Sequence, residues 1–471
     1  MQNIPTEEEP IMNDLFSGGR PDFPAGVQAE LRLQRNLTRS IRLVSGSVTE
    51  NVRADESGVS ARCCRDGMYG FASNSDLTVE AAQAALRTAS DNAAFLVRHA
   101  GVKRGALPSL PRGSVTPIRT YPDLEQKYYL DYLRNLDAYI VAHCPGLISR
   151  SLRLRHESVE KRLFTADAHD SHSILPRTHV YVWMTAETPN GQPVELYTSV
   201  GGLGVLSEQF PDPAQVYPAI DELYEKVMRK REGVYAEAGV KTVVFGPEMS
   251  GILAHEAVGH TVESDLVLGG SVAGSNLNKP VASELVTLVD FANTAFGETA
   301  PQPIYVDDEG TPAQDAVIIR NGILVGYLNS RETAAHFGME PLGNMRAWSY
   351  SDEPLIRMRN TAILPGQDKL ADMIASVDDG YYLIDFNNGQ ADLTGEFMFG
   401  ICHGYEIKHG KLGRPILDTT ISGVAFEMLK TVDMVSDDMS WCSAGTCGKK
   451  QPMAVGMGGP ALRCKIMIGG R

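Results

Sequence analysis

Strand-like and helix-like stretches follow one another in blocks along this chain, and that order limits the folds open to it. Residues 40–73 carry short β-type runs, with Ser57-Gly58 and Asp66-Gly67 read as tight turns between them. Two amphipathic helices follow, over 79–99 with Thr78 as N-cap and over 122–144 with Pro122 at its start. Strand-like segments then cover 147–155, 161–166 and 178–187, and a helix over 214–231 closes this half. A second β-rich half opens with the strand 240–245 and contains two hairpins, 316–320 with 323–328 and 404–408 with 411–416. Blocks of this kind predict an α+β protein of two lobes, with antiparallel sheets and packed helices, rather than an alternating βαβ chain.

With 471 residues the chain is too long for one ordinary core. The division expected is an N-terminal arm over 1–26, an N-terminal α+β domain over 27–238 opening on a helical stretch, and a C-terminal domain over 239–471. In the last, the glycine-rich stretch 455–462 reads as loop before a final strand. A formal net charge of −15 without a Lys/Arg block argues against nucleic acid as the main partner. The acidic start and the lack of an apolar run of roughly 20 residues argue against export and membrane insertion. Seven cysteines make no disulfide framework, so the expected location is the cytoplasm.

Chemistry concentrates in His255-Glu256-Ala257-Val258-Gly259-His260, on a predicted helix that opens at Pro247. Two imidazoles and a carboxylate are the ingredients of a hydrolytic zinc site, in which the metal lowers the pKa of a water to about 7 and the glutamate takes its proton. The familiar spacing is H-E-x-x-H, whereas these histidines stand five apart, roughly 140° around an α-helix. Both can face one metal only if the helix takes an extra residue in a π-bulge or ends between them. Gly259 makes either distortion cheaper, and Gly251 with Gly259 would each cost about 1 kcal/mol in an ordinary helix, which points to close backbone approach.

Other candidates are weaker. Glu263 and Asp265 either orient an imidazole or are solvated helix-end charges. Arg346 either meets a peptide oxygen or makes a surface salt bridge. The 167–172 stretch is rich in Asp and His but reads as a turn, as do Asp307, Asp308 and Glu309.

Gly251 to Asp265 closely resembles the signature of the TldD/PmbA metallopeptidases, formerly labelled modulators of DNA gyrase. The resemblance continues through Asp307 to Gln314, Gly326-Tyr327-Leu328, Gly343-Asn344-Met345-Arg346, Gly395-Glu396-Phe397, Cys447-Gly448-Lys449 and Val455-Gly456, with Asp66 to Ser73 upstream. It implies a zinc peptidase site in a β-rich C-terminal lobe with one metal-binding helix. It also implies one Zn2+ per chain held by His255, His260 and Cys447, and Glu256 as the general base. Cleavage of extended or unfolded peptides in an enclosed cavity is implied as well, in a dimer of this chain or with a metal-free PmbA-like paralogue. The 447–452 loop is one residue shorter than the family pattern, and Cys442 is a rival ligand. The alternative reading is a peptide-binding or regulatory subunit with a structural metal.

Overall fold

The computed structural model describes Met12 and residues 15–16, 19–100, 107–122 and 124–469. Most of the arm expected over 1–26 therefore lies outside the described residues. The first half is one sheet built from β1 (Gln28–Val44), β2 (Ser47–Arg65), β3 (Met68–Asn74), β4 (Ser149–Thr165), β5 (His169–Glu187) and β6 (Pro193–Leu203). The order is β3-β2-β1-β4-β5, all antiparallel, with β6 pairing antiparallel and the short strand Gly113–Val115 parallel to β5.

Three readings change here. The helical stretch expected at the start is the 17-residue strand β1. Its Ala, Glu, Leu, Arg and Gln residues favour helix, but burial on both faces of a sheet overrides that preference. Second, β2 runs straight through Ser57-Gly58, and the turn falls at Ser45-Gly46, both at positive φ. Gly58 is needed because a Cβ there would lie 2.5 Å from the Tyr350 ring. Third, 147–155 and 161–166 are parts of one strand, β4.

Odd-numbered residues of β1 fill the core. Leu31 and Leu33 pack under α1 (Val79–Ala100) with Val59, Ala61, Ala82, Leu86 and Ala89. Ile41 and Leu43 pack under α2 (Gln126–His143) and α3 (Tyr217–Lys230), against Leu133, Leu136, Ile220 and Leu223. The even-numbered side chains from Glu30 to Asn36 point the other way and are also buried. Arg32 donates to the carbonyls of Ser349 and Asp352 at 2.9 and 2.7 Å, and Gln34 and Asn36 donate to that of Trp348. Arg62 pairs with Glu309, Lys161 with Asp308 at 2.7 Å, and Arg331 with Glu30 at 3.4 Å. The polar face of the first sheet is thus the joint between the halves.

The second half holds β7 (Gly239–Phe245), β8 (Leu288–Phe291), β9 (Asn360–Ile363), β10 (Asp379–Ala391), β11 (Glu396–Lys408), β12 (Thr419–Val424), β13 (Ser440–Cys447), β14 (Met453–Gly459) and β15 (Leu462–Ile468), with shorter strands. One sheet runs β10-β7-β15-β12-β11 and closes into a ring because β11 also pairs with β10. The other runs β8-β9-β14-β13, with the Asn321-Gly322 hairpin strands Ala316–Arg320 and Ile323–Leu324 beyond β8. The glycine-rich stretch read as loop is largely β14. Glycines on both sides let the helix over 247–252 lie directly on it: a Cβ on Gly251 would come 2.9 Å from the Gly458 nitrogen, and one on Gly459 2.3 Å from Ser250 Oγ. These elements share one core, from Val243 and Phe245 to Ile466 and Ile468.

Candidate metal centre

The segment that carries the two histidines starts as the short helix α4 (Pro247–Ile252), with Pro247 at its first turn. It widens into a π-helical turn, Leu253–Gly259, and tightens into a 3-10 turn, His260–Val262. The N–H of His260 bonds to the carbonyl of His255, the i to i+5 bond of a π-turn. A turn that takes one more residue brings side chains five apart onto one face. The ring centroids of His255 and His260 accordingly lie 5.3 Å apart at 83°. Gly259 serves a different end from the one expected. Its backbone is ordinary helix, with φ −55°, but a Cβ would sit 1.9 Å from Sδ of Met358. The missing side chain makes room for Met358 rather than for backbone strain.

Cys447, the last residue of β13, reaches the same point. One ligand-type atom each from His255, His260 and Cys447 lie within 4.8 Å of one another, and Cys447 Sγ is 3.3 Å from His260 Nε2. His255 is wholly buried and, among the described residues, neither ring nitrogen has a hydrogen-bond partner. An orphaned imidazole in a dry site is costly unless something absent from the chain accepts its lone pair, so the three residues fit a metal ion. Burial pushes the Cys447 thiol up, but the attraction of His255 and His260 outweighs it and brings the thiol down to about 3. Burial likewise pushes His260 down, and Cys447 with Glu263 reverses this and raises it to about 10. The cysteine is therefore a thiolate, the form a metal takes, and binding would release the proton of His260.

Glu256 stands beside both rings, with carboxylate oxygens 3.5 Å from His260 Nε2 and 4.0 Å from His255 Nε2. Its side chain is 23% exposed, and that of His260 is 21%, so the centre opens to solvent on the glutamate side. Glu263 is fully buried and holds His260 Nδ1 at 2.8 Å, which leaves Nε2 free for a metal. It is no solvated helix-end charge. Asp265 is one step further out: it binds Lys449 Nζ at 2.7 and 2.9 Å, and Lys449 also lies 3.2 Å from Glu263. Cys442 stays out of the cluster, its thiol raised to about 11, chiefly by burial.

A model of the PmbA/TldA metallopeptidase C-terminal domain matches residues 238–470, and one of domain 1 matches residues 29–93. A metalloprotease of Methanothermobacter thermautotrophicus is 30% identical over 454 residues, 94% of this chain and 95% of that one. This chain belongs to the TldD/PmbA metallopeptidase family. A zinc metalloprotease TldD homolog of Saccharolobus solfataricus is 33% identical over 261 residues, 55% of this chain and 58% of that one. TldE from Thermococcus kodakarensis shares the fold, with a TM-score of 0.73 at 17% identity, covering 94% of this chain and 97% of that one.

Several segments of the TldD/PmbA likeness turn out to be scaffolding around the centre. Leu328 bonds to Val262 and Ser264 through its backbone, which pins the segment after His260. Asn344 donates to Asp290 and to the Arg357 carbonyl. Arg346 is not on the surface and makes no salt bridge among the described residues; it is buried and donates to the carbonyls of Met358 and Ala454 at 2.7 and 2.9 Å. Asp307 to Glu309 do form a turn, with Asp307 Oδ1 accepting from the N–H of Glu309 and of Thr311, but Asp308 and Glu309 also bind the first sheet. The 167–172 stretch contains a hairpin turn, with Ala168 at φ 68°, and His172 binds Glu160. Sequence reasoning missed Arg357, which is fully buried and donates to the carbonyls of Cys447, Lys449 and Gln451. Lys449 was visible only as the residue that follows Cys447-Gly448.

Among the described residues no helix is long and apolar enough to cross a membrane.

Proposed function

We propose that this chain is a zinc-dependent peptidase that hydrolyses extended or unfolded peptides, with His255, His260 and Cys447 as ligands and Glu256 as general base. The observation that carries the reading is the convergence of two imidazoles and a thiolate beside a solvent-reaching carboxylate. Zn2+ held there would supply Lewis acidity toward a scissile carbonyl and bring the pKa of a water to about 7. Glu256 takes the proton of the attacking water and returns it to the leaving amine. Glu263 fixes the His260 ring, and Arg357 fixes the loop that carries Cys447. β13 is the last strand of its sheet, so an extended peptide can add to it beside the ligand cysteine. A structural centre would be closed by a fourth protein ligand, and among the described residues the cluster has three. The family resemblance further supports a dimer, either of this chain or with a metal-free paralogue, and the sparse cysteines suit a cytoplasmic location.

Elemental analysis and peptide turnover test the reading together. Wild type should hold about one zinc per chain, Cys447→Ser less, and Glu256→Ala should retain zinc while losing at least about 100-fold in kcat, the low end for a proton-transfer residue. Normal turnover in Glu256→Ala, or wild type that takes up no zinc when offered it, would falsify the proposal.

A further inference from the structure

A cavity at the joint between the halves is lined by two buried guanidiniums that lie outside ion-pair distance of any carboxylate among the described residues. It lies between β4, β5 and β6 on one side and residues 302–308, 345–348 and 453–454 on the other. Three cations line it: Lys161, Arg177 and Arg346. Lys161 is matched by Asp308. The oxygens of Asp307, the other lining carboxylate, are taken up by the backbone N–H groups of Glu309, Thr311 and Met345.

Arg177 and Arg346 form no ion pair among the described residues, although each is over nine-tenths buried. Arg177 donates to the amide oxygen of Gln302, whose own amide nitrogen is buried without an acceptor. Arg346 has only backbone carbonyls. Burial, then the charges of Arg357 and Arg177, pull the Arg346 guanidinium down to about 9. A buried cation left without a counter-charge is costly, and an anion between the two guanidiniums would relieve it. Most of the remaining wall is apolar, including Val159, Leu175, Leu203 and Ile304, with the hydroxyl-bearing Ser171 and Ser173 among it. A monoanion with an apolar body suits such a wall better than a dianion, which costs more to desolvate.

We propose that this cavity binds a carboxylate with a short apolar body, its carboxylate between Arg177 and Arg346. The C-terminal residue of a peptide and a free acylated amino acid share this chemistry. The site is distinct from the metal centre but adjoins it. Met453, which faces Cys447 in the β13–β14 ladder, lines the cavity. The inference rests on no part of the hydrolytic reading.

Calorimetry on the full chain tests it, with N-acetyl-leucine, its primary amide and Ala-Ala-Leu as probes. The two acids should bind, the amide at least 10-fold more weakly, and the tighter of the two acids identifies the source. Arg177→Gln should weaken the acids at least 10-fold. Leu203→Trp, which fills the apolar part and leaves the charges, should abolish binding and decides the matter if Arg177→Gln does not fold. Chelation of zinc should leave the affinity unchanged. Equal binding of acid and amide, no binding of either acid at millimolar concentration, unchanged affinity in a folded Arg177→Gln, or loss of binding on chelation would each overturn the proposal.

Discussion

Each ring nitrogen of His260 has its own partner: Nδ1 meets Glu263 at 2.8 Å and Nε2 faces Cys447 at 3.3 Å. The carboxylate fixes which nitrogen carries the proton and makes the other a better donor to a metal. Glu263→Gln keeps the shape and removes the charge. It should weaken zinc binding by about 10–100-fold, read as a chelator-competition Kd. His255, Glu256 and His260 were legible as candidates because two imidazoles and a carboxylate on one segment suit a metal, and Cys447 was legible only through the family resemblance. Lys449 and Arg357 were not, because a cation that serves backbone carbonyls or buried carboxylates looks in sequence like any surface cation. Arg346 shows the same ambiguity from the other side: its candidacy was visible, but its burial and its carbonyl partners were not.

At the scale of the element, the five-residue histidine spacing already required a departure from the α-helix. That it is a π-turn followed by a 3-10 turn depends on what lies against it. α4 rests on the glycines of β14, and Met358 fills the space at Gly259. Gly259→Ala should cost roughly 1–3 kcal/mol through overpacking and lower the Tm. In a double-mutant cycle its cost should shrink once Met358 is Ala, because the clash partner is gone. Full additivity in that cycle would show that the glycine serves the backbone instead. The strand β1 makes the opposite point. Its alternation was present, but helix-favouring residues on a strand buried on both faces concealed it.

Across the whole molecule, the joint between the halves holds buried ion pairs and polar side chains as well as apolar ones. Burial would raise Asp308, but Lys161 and Arg32 overcome it and hold the carboxyl below its ordinary 3.8. A carboxylate depressed on folding contributes stability that is complete above 3.8 and is lost as the pH falls through its folded value. Asp308→Asn leaves Lys161, already drawn down to about 8 by burial, without its counter-charge. The variant should lose about 3–5 kcal/mol at pH 7. The gap to wild type should narrow as the pH drops below 3.8, measured by urea unfolding across pH. A gap independent of pH would mean that the ion pair is not what Asp308 contributes.

The sequence by itself determined the α+β class and the helices over 79–99 and 214–231 to within three residues, and it offered His255 and His260 as metal donors, while Cys447 came from the family resemblance. Periodicity and donor chemistry are local, and they survive without knowledge of neighbours. Only the tertiary structure decided that the polar face of the first sheet is an internal joint, that β14 is a strand under the metal helix, and that Glu263 rather than Asp265 holds the histidine. Each of these depends on which surface meets which, and the same polar residue is cheap in water and costly in a dry joint unless a partner from hundreds of residues away satisfies it.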